Sequence, residues 1–190
     1  MEFTVNLKSW NDADWKRWLG HLSGKPGIRH LEVGSYEGNS AIWMLENILT
    51  DPTARITCVD TFKGGEGLPE SSENALLDRF LKNTEPWTEK IVVLEGESSS
   101  QLRDIRLEYQ FDSAYIDGSH VAANVLTDCV LVWMLLKPGA ILILDDYEWP
   151  IDPNPDNRPK PAINAFLSVF AGQYQLIDKS YQVVLKKGTP

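Results

Sequence analysis

Short runs of apolar residues alternate along the chain with longer segments in which apolar residues recur every three or four positions. The short runs predict β-strands and the longer segments predict helices. The first helix is predicted over residues 12–22, where four apolar residues share one face: Trp15, Trp18, Leu19 and Leu22. The regular alternation that follows is typical of a parallel sheet with helices on both of its faces.

The parallel part of the sheet is predicted to contain five strands, over residues 28–33, 55–59, 91–94, 111–116 and 140–144. The helices between them are predicted over residues 39–49, 73–81, from about 98, and 121–136. The Lys137-Pro138-Gly139 sequence is expected to end the last of these helices before the fifth strand begins.

The last quarter of the chain has a different pattern. Prolines at positions 153, 155, 159 and 161 predict a loop over residues 149–161, followed by a helix over 162–170. Residues 174–177 and 182–185 are predicted to be two strands joined by a tight turn. The sheet should therefore have about seven strands and end in an antiparallel hairpin, unlike the all-parallel sheet of NAD-binding dehydrogenases.

Composition narrows the possible functions. The 190 residues, of which 43% are hydrophobic, fit a single domain over residues 1–190. The net charge of -9 and the scattered basic residues disfavour a nucleic-acid partner, so that a small-molecule substrate is expected. The start of the chain lacks the pattern of a signal peptide, and the apolar runs are too short to cross a membrane. Two cysteines in apolar surroundings indicate reduced thiols and a cytoplasmic location.

A glycine-containing turn follows the first predicted strand, with the sequence Glu-Val-Gly-Ser-Tyr-Glu-Gly-Asn-Ser over residues 32–40. Glycines at 34 and 38 let the backbone approach a ligand closely. A dinucleotide-binding turn has the spacing G-x-G-x-x-G and needs glycine at position 36, which is Tyr36 here. The alternative is a tight turn in which Asn39 or Ser40 caps the next helix.

Acidic and hydroxyl side chains follow the next two strands. Asp60 ends the second strand, where a carboxylate can accept hydrogen bonds from both hydroxyls of a ribose. Glu97 and Ser98 follow the third strand, at the same edge of the sheet. The alternatives are that Asp60 is a solvated or capping aspartate and that Ser98 caps the helix that follows it.

Three carboxylates end the fourth and fifth strands: Asp117, Asp145 and Asp146. Neighbouring carboxylates repel one another unless a positive charge lies between them, and an all-oxygen set favours a hard cation such as Mg²⁺. His120 lies close to the first of them and has a side chain suited to accept a proton near neutral pH. Alternatively, the aspartates are solvated strand ends and His120 is a surface residue or the partner of an aspartate; His21 and His30 are interpreted as structural.

The three motifs together resemble the class I S-adenosylmethionine (SAM)-dependent methyltransferases. The turn over residues 32–40 is similar to their E/D-x-G-x-x-x-G-x-S motif. The segments Tyr-Ile-Asp-Gly-Ser-His (115–120) and Gly-Ala-Ile-Leu-Ile-Leu-Asp-Asp-Tyr (139–147) resemble the metal-dependent O-methyltransferases of the macrocin type and the family called methyltransferase domain 24. The resemblance covers roughly residues 28–147 and implies the Rossmann-like α/β sheet of that class.

The resemblance also implies the site residues. It assigns the SAM contacts to Glu32, Gly34, Ser35, Tyr36, Gly38, Ser40, Asp60, Glu97, Ser98 and Asp117. It assigns the metal, most simply Mg²⁺, to Asp117, Asp145 and Asp146. In the more distantly related catechol O-methyltransferase, the catalytic lysine lies three residues after the first metal ligand, a position that His120 occupies here.

The predicted reaction is therefore the transfer of a methyl group to a hydroxyl of a small molecule, such as a sugar or a phenolic natural product, with His120 as the base. Three other interpretations stay open: a metal-independent methyltransferase acting on another atom, a SAM- or nucleotide-binding module without catalysis, and a dehydrogenase.

Substrate specificity is expected to lie in two loops at the same edge of the sheet, over residues 61–72 and 149–161. Candidate pocket residues in and beside them are Phe62, Tyr147, Trp149, Arg158 and Lys160, each of which could equally serve only loop packing or solubility. The N-terminal segment, residues 1–27, has a single clear helix. One short helix would cover only part of a substrate site. A second subunit of a homo-oligomer could cover the remaining part.

Overall fold

The computed structural model describes residue 3 and residues 12–64, 75–106, 110–149 and 154–188 of the 190-residue chain. The helices are α1 (Asp12–Leu19), α2 (Asn39–Asn47), α3 (Ala75–Thr84), α4 (Ser98–Asp104), α5 (Ala122–Leu135) and α6 (Pro159–Val169). The strands are β1 (Arg29–Val33), β2 (Arg55–Asp60), β3 (Ile91–Glu95), β4 (Phe111–Ile116), β5 (Leu136–Leu144), β6 (Tyr174–Lys179) and β7 (Val183–Lys187). Short 3₁₀ segments cover Gly20–Leu22, Glu85–Lys90 and Pro155–Asn157.

The seven strands form one sheet in the order β3-β2-β1-β4-β5-β7-β6. The first five strands are parallel, and β7 runs antiparallel to both β5 and β6. This confirms the predicted α/β sheet with a terminal antiparallel pair. The strand order reverses between β1 and β4, and at such a point the connecting segments diverge and leave a cleft beyond the carboxyl ends of the strands.

Alternate residues of β1 point to opposite faces of the sheet. Leu31 and Val33 belong to the core beneath α4, α5 and α6. Glu32 lies between Cys58 and Tyr115 of the adjacent strands, which belong to the core beneath α1, α2 and α3. Within the described ranges, every helix is too short or too polar to cross a membrane.

Strand β5 begins earlier than the sequence predicts. Helix α5 ends at Leu135, so residues 137–139 lie beyond the helix, as expected. The predicted strand start at residue 140 is wrong, because residues 137–139 lie within β5, which starts at Leu136. From Phe111 to Ser113, two residues along β4, the register of β5 advances five residues, from Leu136 to Ile141. The strand therefore bulges here, and a bulge tolerates both a proline without an N–H and a glycine at a φ of 83°, Gly139.

Helix α6 also begins earlier than predicted, at Pro159 rather than at residue 162. The predicted loop over 149–161 is thus wrong at its end, because prolines in the first turn of a helix replace N–H groups that have no intrahelical partner. Residues 150–153 of that loop, residues 65–72 of the other predicted loop and the predicted helix start at 73–74 lie outside the described residues.

Candidate cofactor and catalytic site

The turn after β1 brings its backbone into direct contact with the end of β4. Gly34 has a φ of 87°, and a Cβ atom at this position would collide with the backbone carbonyl of Asp117. The contact is closed by hydrogen bonds from the Gly34 N–H to the Val59 carbonyl (2.9 Å) and from the Asp117 N–H to the Val33 carbonyl (2.8 Å). Only glycine fits at residue 34, because both the backbone conformation and the space exclude a side chain.

The carboxylate of Asp60 holds the turn in place. Its Oδ2 accepts hydrogen bonds from the N–H groups of Ser35 (2.7 Å) and Tyr36 (2.8 Å), and its Oδ1 accepts one from Phe62 (2.7 Å). Tyr36 and Phe62 have positive φ angles of 46° and 53°, which these bonds help to stabilise. Since a carboxylate offers about four lone-pair sites, one remains for a ligand hydroxyl.

Four predicted cofactor residues lie behind the turn rather than at its surface. Glu32, Ser35 and Ser40 are buried, and Gly38 precedes α2 with a φ of 89°. Burial raises the pKa of Glu32 to about 7, and the nearby hydroxyls of Ser35 and Ser40 limit the rise. Neither carboxylate oxygen of Glu32 has a hydrogen-bond partner among the described residues.

A cavity of about 320 Å³ lies beyond the carboxyl ends of β1, β2, β3 and β4. This is the size of a small-molecule site. Six of the predicted cofactor residues line it: Gly34, Tyr36, Asp60, Glu97, Ser98 and Asp117.

The cavity also has a wall that the sequence analysis missed, formed by Asn124, Thr127 and Asp128 of α5. Their spacing of three and four residues places them on one face of the helix. These three polar residues on one face of an otherwise apolar helix are the feature of the sequence that could have indicated this wall.

The predicted base and two of the predicted metal ligands lie together beside this cavity. Ligand atoms of Asp117, His120 and Asp146 all lie within 4.8 Å of one another. His120 Nε2 is 2.8 Å from Asp146 Oδ2, and the hydroxyl of Tyr181 donates to Asp146 Oδ1 at 2.6 Å. Asp146 has a φ of 56°, unusual for a residue other than glycine, which is compatible with functional strain. Tyr181, in the turn between β6 and β7, carried no local sequence signal.

Asp145 has a different environment. The Tyr115 hydroxyl lies between the Oδ2 atoms of Asp145 and Asp117, 2.8 Å from the latter, and Asp145 Oδ1 accepts the N–H of Asp146 at 2.7 Å. One hydroxyl has one proton to donate, so hydrogen bonds to both carboxyl groups require a second proton. Burial, and then the charges of Asp145 and Asp146, raise the pKa of Asp117 well above its usual range.

Among the predicted pocket residues, Trp149 packs on the predicted base, with its ring centroid 4.5 Å from that of His120. Phe62 instead packs on Phe80 at 5.2 Å, inside the core. Lys160 pairs with Glu148 at 2.7 Å and lies over the ring of Tyr147.

The other two histidines lie elsewhere. His21 is exposed, whereas His30 is fully buried, with Nδ1 2.8 Å from the Ser113 hydroxyl.

The fold of the chain is similar to that of several solved structures. The O-methyltransferase TomG from Streptomyces achromogenes, in complex with SAM, aligns with a TM-score of 0.68 at 15% identity, over 97% of this chain and 84% of that chain. MycE from the mycinamycin biosynthetic pathway, in complex with Mg and S-adenosylhomocysteine (SAH), aligns with a TM-score of 0.67 at 18% identity, over 97% of this chain and 51% of that chain. A candidate rRNA methylase from Clostridium thermocellum aligns with a TM-score of 0.69 at 12% identity, over 96% and 99%. At such identities the likeness shows the fold and does not decide the methyl acceptor.

The sequence itself matches a family profile. The methyltransferase domain 24 profile matches residues 31–147, which contain the glycine turn and both of the aspartate-bearing strand ends. No curated protein sequence matches the chain. The chain therefore belongs to the methyltransferase domain 24 family and is a class I SAM-dependent methyltransferase.

Proposed function

We propose that the chain transfers the methyl group of SAM to a hydroxyl oxygen of a small molecule, and that the reaction depends on a divalent cation such as Mg²⁺. The observation that carries the proposal is the meeting of Asp117, His120 and Asp146 beside the cavity. The neighbours TomG, in complex with SAM, and MycE, in complex with Mg and SAH, support it. The cytoplasmic location and the single domain over residues 1–190 remain predictions.

The residues around the cavity fit SAM. Gly34 lines the cavity at the ends of β1 and β4, and Asp60 keeps one lone-pair site for a ribose hydroxyl. Glu97 and Ser98 then border the adenine, while Tyr36 and Asp117 border the rest of the molecule. Glu32, Ser35, Gly38 and Ser40 act from behind by shaping the turn. When bound, SAM supplies a methyl group attached to a positively charged sulfur.

The carboxylates fit a divalent cation. Asp117 and Asp146 would hold it, since their oxygens approach each other beside the cavity and are hard ligands. Asp145, the third predicted ligand, supports them through Tyr115 and the Asp146 N–H, and a direct contact from it stays a prediction. When bound, the cation supplies positive charge that stabilises a developing negative charge on the acceptor oxygen.

His120 accepts the proton of the acceptor hydroxyl in this proposal. Asp146 fixes the imidazole through Nε2, and the ring of Trp149 limits its movement on one side. In-line transfer requires the acceptor oxygen and the methyl carbon to be held at close range, which a fixed base and a fixed cofactor turn together provide.

A second candidate function is metal-independent methyl transfer. The 2.8 Å contact between His120 and Asp146 favours it, because a carboxylate beside an imidazole orients that ring as a general base without any cation. The two candidates differ in their dependence on a cation, and only the first requires Asp117 as a ligand.

Chelation of the divalent cation distinguishes the two candidate functions. Labelled SAM is incubated with a panel of phenolic and sugar acceptors, with the purified chain, before and after treatment with EDTA. Under the leading proposal, EDTA abolishes transfer and added Mg²⁺ restores it. Transfer that is unchanged by EDTA would reject the metal and favour the second candidate.

Metal binding can be measured without an acceptor. Calorimetric titration with Mn²⁺ should show a site that weakens at least tenfold in Asp117→Asn and Asp146→Asn, whereas SAH affinity changes little in Asp146→Asn. Asp104→Asn, on the exposed side of α4, is the matched control and should bind Mn²⁺ as the wild type does. His120→Ala distinguishes two roles of the histidine. If methyl transfer is lost while Mn²⁺ binding is retained, His120 is a base. If Mn²⁺ binding is lost, His120 is a metal ligand.

A further inference from the structure

Asp128 is a buried carboxylate in the wall of the cofactor cavity. It lies on α5, one turn after Asn124, and only 2% of its surface is exposed. Its Oδ1 accepts a hydrogen bond of 2.7 Å from the Ser98 hydroxyl at the start of α4. The core beside it is apolar, formed by residues such as Cys129 and Leu102. An acidic side chain in such a position needs an explanation, because burial of a charge is costly unless polar partners compensate for it.

The described residues satisfy only part of the hydrogen-bonding capacity of this carboxylate. Ser98 gives it one hydrogen bond, and the structure shows no cation beside it among those residues. Burial, together with the charge of Glu97, raises the pKa of Asp128 to about 6, and the Ser98 hydroxyl limits the rise. The side chain is therefore mainly a carboxylate at neutral pH, with hydrogen-bonding capacity left on the side that borders the cavity.

The position in the cavity indicates which part of SAM meets Asp128, given the cofactor orientation proposed above. The sulfonium must lie towards Asp117 and His120, where the acceptor would be activated, and the ribose lies at Asp60. The adenine then occupies the remaining end, between Gly96, Ser98 and α5. Of the polar groups of adenine, the ring nitrogens accept hydrogen bonds and only the 6-amino group donates them.

We propose that Asp128 accepts a hydrogen bond from the adenine 6-amino group of SAM, with Ser98 holding the carboxylate in place, and that this contact makes the chain selective for adenosine over 6-oxo purine nucleosides. A carboxylate only accepts, so it pairs with an amino group and opposes a carbonyl oxygen at the same position. A purely structural role, in which Asp128 only ties α5 to α4, requires no such selectivity.

The test compares two ligands that differ in one group. SAH carries the 6-amino group, and S-inosylhomocysteine carries a carbonyl oxygen in its place. Calorimetry with the wild-type chain should give SAH an affinity about tenfold to a hundredfold higher, because the 6-oxo ligand leaves a buried carboxylate opposed by an acceptor. Equal affinities would overturn the proposal without any variant being needed.

The variant Asp128→Asn sharpens the comparison. Its side-chain oxygen can still accept the Ser98 hydroxyl, while its NH₂ group faces the cavity and donates. The preference for SAH should therefore fall at least tenfold, through weaker SAH binding and stronger binding of the inosyl ligand. An equal loss for both ligands would indicate a structural role only and overturn the proposal.

Two controls complete the design. Asp104→Asn makes the same chemical change on the exposed side of α4 and should keep the wild-type preference. Failure of the wild type to bind either ligand would contradict the cofactor assignment itself, and with it the role of Asp128. Binding of both ligands with equal affinity contradicts only the role of Asp128.

Discussion

His120 and Asp146 face each other across the ends of two adjacent strands, with Nε2 2.8 Å from Oδ2. His120 follows β4 and Asp146 follows β5. Asp146 reaches this position through a left-handed backbone conformation, and the Tyr181 hydroxyl holds its other oxygen at 2.6 Å. The aspartate is thus fixed from both sides, and this arrangement determines the direction of the imidazole.

Removal of the Tyr181 hydroxyl should weaken this arrangement. Burial and the charge of Asp146 raise the pKa of Tyr181, so the hydroxyl stays a donor. In Tyr181→Phe we expect methyl transfer to fall about tenfold, which corresponds to the loss of one hydrogen bond to a charged group. SAH affinity should stay the same. Tyr174→Phe is the control, because its hydroxyl donates to the Leu167 carbonyl away from the site. An equal decrease in both variants would contradict the role of Tyr181.

Tyr115 should reveal whether the carboxylates need a cation. Its hydroxyl lies between Asp117 and Asp145, so Tyr115→Phe leaves the two buried carboxyl groups without their shared donor. We expect the free energy of unfolding to fall by about 1–3 kcal/mol. Mg²⁺ should then raise the melting temperature more in the variant than in the wild type, as followed by calorimetry. If Mg²⁺ has no effect on either protein, the proposed cation site at Asp117 and Asp146 is contradicted.

Gly34 should tolerate no side chain. In Gly34→Ala, the Cβ collides with the Asp117 backbone at a φ of 87°. We expect a loss of about 3 kcal/mol or more in unfolding free energy, with loss of SAH binding. Gly172→Ala is the matched control, because Gly172 has nearly the same φ, 85°, with nothing within 4 Å of the added atom. It should lose only about 1–2 kcal/mol. Similar losses in both variants would contradict the importance of the close approach.

His30 should make stability depend on pH. Burial lowers its pKa from 6.5 to about 3. Between these values the unfolded chain binds a proton that the folded chain does not, so the free energy of unfolding decreases as pH falls through this interval. The contribution amounts to roughly 2–3 kcal/mol between pH 6.5 and 4.5, at about 1.4 kcal/mol per pH unit.

The measurement is urea unfolding of the wild type and His30→Gln at both pH values. The stability difference between the two proteins should shift by this amount in favour of the variant at pH 4.5. The difference is the quantity to compare, because Glu32, with its raised pKa, changes stability in the opposite direction over part of this range. His21→Gln, at an exposed position, should show no such shift. A difference that does not change with pH would contradict the buried neutral imidazole.

Most of the helices and strands could be predicted because their signals are local. Strand β4 has the predicted bounds of 111 and 116, and helix α2 begins at the predicted residue 39. Two of the larger differences, at the starts of β5 and α6, arise at prolines. Pro138 lies in a bulge of β5, and Pro159 and Pro161 lie in the first turn of α6. At these positions the backbone N–H that a proline lacks is not needed for a regular hydrogen bond. Whether a proline ends an element depends on the backbone hydrogen bonds around it, which residue identity alone does not specify.

The sequence by itself determined the alternation of strands and helices, the need for glycine after β1 and the acidic residues at the strand ends, because these depend on neighbours along the chain. Only the tertiary structure decided where the acidic side chains point. Asp60 points to the backbone of the turn after β1, Asp145 to Tyr115, and Asp146 to His120. It also brought Ser98 to Asp128 and Tyr181 to Asp146, pairs separated by 30 and 35 residues. These directions depend on φ at single residues and on how strands and helices from distant parts of the chain pack together, so no local pattern encodes them.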